Sequence, residues 1–145
     1  LPISAGESLA IPGIGAETMA HVHADDVAQA FQLAVEHRDA AAGEDFTVVA
    51  PDALNVRGYA SLAASWFGQE ARLDPVTWDR FRETTAPEHA DASWEHLSRS
   101  QVFSTEKANR LLGYGPRFTA EETVLDAVRW LVDHGELEVT NPLAC

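Results

Sequence analysis

His21 and His23 stand two apart in a short stretch, residues 18–23, whose alternation reads as a β-strand. Side chains two apart on a strand point to one face. Asp25 and Asp26 follow at once. Two imidazoles and two carboxylates so close could hold a metal ion. Zinc commonly takes three protein ligands and an oriented second shell, and no third histidine is near in sequence. The competing reading is structural, and we adopt it with no metal assigned. One histidine packs inward, while Asp25 or Asp26 caps the following helix by accepting from its free N–H groups.

Other patterns suggest chemistry and then withhold a part of it. Gly13-Ile14-Gly15 begins like a dinucleotide-binding loop. Such a loop opens a helix, so that backbone N–H groups face a pyrophosphate. Here the third glycine is absent and a strand follows, so a plain turn is expected. Ser104-Thr105-Glu106-Lys107 has the Ser-x-x-Lys form of a nucleophilic serine, but the partner motifs Ser-Asp-Asn and Lys-Thr-Gly do not occur. Ser104 is therefore read as a helix N-cap. His89 and His96, beside Glu88 and Glu95, fit one solvated helical face. Trp78, Phe81 and Trp94 form an aromatic group in an otherwise polar segment. They are either core or the wall of a substrate pocket.

The elements that would position these residues follow from periodicity. After Asp25 and Asp26, a helix buries Val27, Ala30, Phe31, Ala34 and Val35 on one face. Phe46-Thr47-Val48-Val49-Ala50 is β-branched and reads as a buried strand, stopped by Pro51. A helix over 57–67 ends at Gly68. Pro75 and Pro87 each open a short helix. Another runs from Ser104 to a stop at Gly113. Thr119-Ala120-Glu121-Glu122 fits a capping box and starts the last helix, whose stripe is Val124, Val128, Leu131 and Val132. The tail beyond Gly135 is expected to be loose. The order is an α/β start and a helical finish, with two or three strands. So small a sheet has open edges, which suggests completion by sequence outside the chain.

Composition narrows the function classes. Ten Lys and Arg stand against 23 Asp and Glu, a formal charge of −13 over 145 residues. Such a surface repels nucleic acid and anionic lipid, so neither is expected as a partner. The one cysteine, Cys145, allows no internal disulfide and no multi-cysteine zinc site. No apolar run approaches a membrane span. Residues 1–10 carry Glu7 and no Lys or Arg, unlike a signal peptide. A reduced, cytoplasmic setting is expected. The chain does not begin with Met, which suggests a piece of a longer protein.

Two stretches together resemble one family. His21-Val22-His23-Ala24-Asp25-Asp26-Val27-Ala28 is similar to the V-H-V-x-D-[VL]-A step of the extended short-chain dehydrogenases, the NAD-dependent epimerase/dehydratase group. Residues 107–116, from Lys107-Ala108 through Leu112-Gly113-Tyr114 to Pro116, resemble that group's K-A-x-x-x-L-G-[WY]-x-P. Phe118-Thr119-Ala120-Glu121-Glu122 and Trp130-Leu131 resemble its final helix. The resemblance covers residues 9–135. It implies an α/β fold, the C-terminal part of a Rossmann-like enzyme with a mostly helical substrate lobe. Family members bind NAD(P) with an N-terminal glycine-rich loop and use Ser or Thr with a Tyr-x-x-x-Lys pair. The chain's only tyrosines are Tyr59 and Tyr114, and Ala63 and Phe118 stand where the Lys would be. The resemblance therefore implies a substrate-binding portion, residues 1–145, without catalytic or cofactor-binding residues of its own. NAD or NADP would be held by an absent N-terminal half, and a homodimer is compatible with it.

Within the family, Asp26 matches the Asp that caps the helix, a structural role. Nucleotide-sugar epimerases often carry a diphosphate-binding Arg seven residues earlier, where this chain has Met19, and a second Arg near Trp94. These departures imply a less charged, partly apolar substrate, sugar-like or another small hydroxy or keto compound. Met19, His21, Trp78, Arg82 and Trp94 are the residues expected to face it. Arg82 lies four beyond Trp78, on the same helical face. A second hypothesis of a different class is a free-standing acidic α/β module that binds a partner or ligand without catalysis.

Overall fold

A computed structural model describes residues 1–144, with Cys145 outside the described residues. Strand β1 (Ser8–Pro12) pairs in parallel with β4 (Arg72–Val76), Ser8 opposite Arg72 and Pro12 opposite Val76. Strand β2 (Thr18–Ala20) pairs antiparallel with β3 (Ala53–Asn55). The expected two or three strands are thus four short ones in two ribbons. Three local expectations change. The strand expected over 18–23 ends at Ala20, so His21 and His23 lie in the connection to a helix. Residues 46–50 form no ladder, because they have no strand beside them: Ala50 N–H donates to the His21 carbonyl (2.7 Å) and the Tyr114 hydroxyl to the Val49 carbonyl (3.3 Å). Pro75 lies inside β4, where a two-stranded ribbon tolerates a residue with no N–H to donate.

Among the described residues a 3-10 turn (Pro2–Ala5) precedes β1, and seven α-helices follow: α1 (Ala24–Glu36), α2 (Arg38–Ala41), α3 (Val56–Ser65), α4 (Trp78–Thr84), α5 (Pro87–Leu97), α6 (Glu106–Leu112) and α7 (Ala120–Asp133). Their starts are set by side chains that accept from otherwise free N–H groups. Neither Asp25 nor Asp26 caps α1. The His23 ring does, its Nδ1 accepting from Asp25 N–H at 3.1 Å. Asn55 caps α3 by accepting from Gly58 N–H, and Thr77 caps α4 by accepting from Arg80 N–H. The Ser104 hydroxyl accepts from Glu106 N–H at 3.2 Å, one residue ahead of the N-cap position of α6. Thr119 and Glu122 form the expected capping box on α7. Gly113 ends α6 with φ of 74°, a left-handed stop that costs glycine nothing.

The main core gathers Ile3, α3 (Ala60, Ala63, Ala64), Trp66, Phe67 and Val124 of α7. The tail is not loose. Ala144 N–H donates to the Trp66 carbonyl at 2.7 Å, Thr140 and Asn141 bond to Ser4, and Val139 and Leu143 pack on this core. A second cluster joins Ala30, Ala108 and Tyr114. The expected burial of α1 is only half realised: Ala30 is buried, but Phe31 is 73% and Val35 77% exposed. No described helix is long and apolar enough to cross a membrane.

Candidate functional site

The parallel strands β1 and β4 end side by side, and a cleft opens at their C-terminal ends. After β1 the chain turns through Gly13 and Gly15, both at positive φ (65° and 71°). Gly15 has the Arg57 backbone N 3.2 Å from where a Cβ would sit, so only glycine fits the turn without strain. This is the turn expected in place of a phosphate loop, since β2 and not a helix follows. After β4, Thr77 caps α4 and throws Trp78 toward α5. The Trp78 and Trp94 rings meet with centroids 4.9 Å apart at 51°, and Phe81 lies behind Trp78 at 5.3 Å. Phe81 is buried, while Trp94 is 50% exposed. Phe81 is core, and the two indoles border a cleft.

The cleft, about 220 Å³, is lined by Pro12, Gly13, Glu17, Thr77, Trp78, Trp94, Leu97 and Ser98. Glu17 was not among the expected residues. Its carboxylate comes within 3.4 Å of the position a Cβ on Gly13 would take. Its Oε2 is buried and has no hydrogen-bond partner. Nothing in the sequence links a lone acid in a glycine turn to tryptophans on helices far along the chain. Only the pairing of β1 with β4 brings them together.

The expected substrate-facing residues fall into separate places. Trp78 and Trp94 line the main cleft, and with Arg82 and Asp91 they line a second depression on their other side. Met19 lines a neighbouring cleft with His89, Ser93, His96 and Leu97, so Leu97 divides the two hollows. His89 and His96 do share a helical face. His21 lines none of these. It stacks on Tyr59 (centroids 6.1 Å, planes 10° apart), and its buried Nδ1 has no partner. Burial holds this imidazole below its usual 6.5, with the Met19 backbone and Asp52 acting against it and His96 in the same sense as burial. His23 stacks on Phe118 at 3.8 Å, and its Nε2 faces Asp126 at 3.3 Å. Because Nδ1 accepts from Asp25 N–H, the ring proton is on Nε2. Among the described residues no three metal-ligating side chains converge.

The two stretches that carry the sequence resemblance touch each other. Asp26, fully buried, accepts from the N–H groups of Arg117 (3.0 Å) and Phe118 (3.2 Å) and from Arg117 Nε (3.2 Å). Gln29 accepts from Gly115 N–H, and Asn109 donates to the Tyr114 carbonyl. Tyr114 is fully buried, and burial first, then the Asp26 charge, raises its pKa above 10.0. These residues clamp α1 to the loop before α7. They hold the frame and stand apart from the cleft.

No family model and no curated protein matches the sequence. Solved structures do match the fold. An epimerase from Methanothermobacter thermautotrophicus superposes with a TM-score of 0.67 at 21% identity, over 93% of this chain and 36% of its own. UDP-glucuronic acid 4-epimerase from Bacillus cereus, in complex with NAD, matches at 0.61 and 17% identity over 90% of this chain and 37% of its own. UDP-glucose 4-epimerase from Thermotoga maritima, with UDP-glucose, matches at 0.58 and 20% identity over 92% and 37%. The chain thus spans little more than a third of the length of these enzymes. Over most of its length the chain shares the α/β fold of part of these epimerase structures.

Proposed function

We propose that the chain is the C-terminal substrate-binding portion of a longer NAD(P)-dependent oxidoreductase, epimerase or dehydratase. Its substrate would be a sugar-like or other small hydroxy or keto compound. The observation that carries this reading is the fold: a chain of 145 residues matching 36–37% of three epimerases, with a cleft at the ends of its parallel strands. Open α/β sheets place ligands at the carboxyl ends of their strands. Trp78 and Trp94 would form the wall against the substrate, with Arg82 at its outer edge and Met19 across Leu97. His21 would support the frame of this lobe through Tyr59.

The catalytic tyrosine and lysine and the glycine-rich loop would come from an N-terminal half, which would also hold NAD or NADP. A surface suited to that half is present. Val27, Phe31 and Ala34 of α1, with Phe46 and Val48, line an apolar groove of about 200 Å³. Exposed apolar patches of this kind mark contact surfaces. Residues 46–50, extended but unpaired, would then add a strand to the sheet of that half.

The experiment is an assay of the protein extended by its upstream coding sequence. NAD(P)-linked turnover is followed with a panel of sugar nucleotides and small hydroxy or keto compounds. Turnover is expected, with KM raised about tenfold by Trp94→Ala, the size of one lost aromatic contact. Absence of NAD(P)-linked turnover across the panel, or indifference to Trp94→Ala, contradicts the proposal.

A further inference from the structure

The main cleft combines two features that the proposed substrate lobe leaves unexplained. Two indole rings form its wall, and a carboxylate oxygen, Glu17 Oε2, is buried beside it with no hydrogen bond. A buried carboxylate without a partner is costly unless a cation or a donor completes it. Among the described residues Glu17 is the only charged side chain lining this cleft. Arg82 and Asp91 lie in the depression on the other side of the tryptophan pair. Thr77 and Ser98 add hydroxyls, and Leu97 closes the floor.

We infer that this cleft binds a small organic ammonium group, with Glu17 as counter-ion and Trp78 and Trp94 as aromatic walls. The inference rests on the substrate-lobe reading only for the identity of the cleft, and it names the class of substrate: one that carries a cationic nitrogen. The chemistry suits each part. The indole face is the best cation–π partner among side chains. A carboxylate in a partly dehydrated hollow attracts a cation far more strongly than one in water. The net charge of −13 draws cations toward the whole surface and repels the phosphates of a nucleotide. A methylated or alkylated ammonium fits better than a hydrated metal ion, because the walls are apolar and Glu17 is the single anionic ligand.

The geometry also explains Gly13. Its φ of 65° disfavours any side chain, while Glu17 Oε1 lies at ordinary contact distance, 3.4 Å, from the Cβ position.

The test uses the 145-residue chain and choline as probe, with 3,3-dimethylbutan-1-ol as its uncharged carbon isostere. Binding is read by tryptophan fluorescence and by calorimetry. The expected result is saturable binding of choline that the isostere does not show, weakened by added salt. Glu17→Gln and, separately, Trp94→Ala should each weaken it about tenfold or more, the scale of a desolvated cation–π or ion-pair contact. Trp94 is half exposed, so its truncation leaves the core intact, and circular dichroism checks both variants. Equal responses to choline and its isostere overturn the inference, as does no saturable response to either or a Glu17→Gln variant that binds like the parent. NAD(P)-linked turnover by the extended protein is a separate readout. Turnover with neutral substrates alone would leave the substrate lobe standing and reject the ammonium site.

Discussion

Asp26 offers the sharpest test of how the frame is held. Replacing it with Ala removes the acceptor for two backbone N–H groups, those of Arg117 and Phe118, at a site where the aspartate is 0% exposed. Each buried donor left without a partner costs about 1–3 kcal/mol. An acidic residue lost from the first turn of α1 costs about 0.3–1 kcal/mol more. The Arg117 guanidinium is 53% exposed and returns to water, so its ion pair adds less than about 1 kcal/mol. The sum is a loss of about 4 kcal/mol, dominated by backbone groups and not by the salt bridge. Urea unfolding followed by circular dichroism measures it, with an unchanged slope showing that the folded state is still the reference. Arg117→Ala should cost less than about 1 kcal/mol, and Asp26→Asn, which keeps one acceptor oxygen, should fall between. If Asp26→Ala costs no more than Arg117→Ala, the contact is an ordinary surface ion pair and the clamp argument fails.

Three more outcomes follow. Thr119→Ala should lower stability by about 1 kcal/mol by removing one side of the capping box on α7, while the same change at Thr105, whose side chain caps nothing, should be near neutral; equal losses would reject the cap. His21 is held below its usual 6.5 by burial, so the unfolded chain binds more protons between the two values. Stability should be fully present above pH 6.5 and fall as pH drops through that region toward the folded value; His21→Gln should flatten this part of a melting-temperature profile, and an unaltered slope would contradict it. Phe31→Ser, at a site 73% exposed, should change the stability of this chain by no more than about 0.5 kcal/mol; a large loss would mean that Phe31 packs in a core.

The parts of the fold governed by local rules were legible in the sequence. The capping box at Thr119, the glycine stop at Gly113 and the apolar stripe of α7 need only their own neighbours, and they stand where the pattern put them. What depends on distant partners was not. Phe31 and Val35 obey the helical period of a buried face, but the described residues supply nothing to cover them. Residues 46–50 have strand composition and no neighbouring strand. Pro75 reads as a helix start, yet parallel pairing with β1 makes it an edge-strand residue. The cap of α1 was assigned by residue type to Asp25 or Asp26. Once Asp26 turned to the loop before α7, the His23 ring took that place. At the site, the two tryptophans were visible as an oddity of composition. Glu17 was not, because its meaning comes from the pairing that carries it beside them.

The central claim is that this chain supplies the substrate side of a nucleotide-dependent enzyme and not its cofactor side. The most direct measurement is calorimetric titration of NAD and NADP, in both redox states, into the 145-residue chain and into the protein extended by its upstream coding sequence. The account predicts no binding by the chain alone and stoichiometric binding of one cofactor by the extended protein. Tight binding by the chain alone, or none by the extended protein, would contradict it.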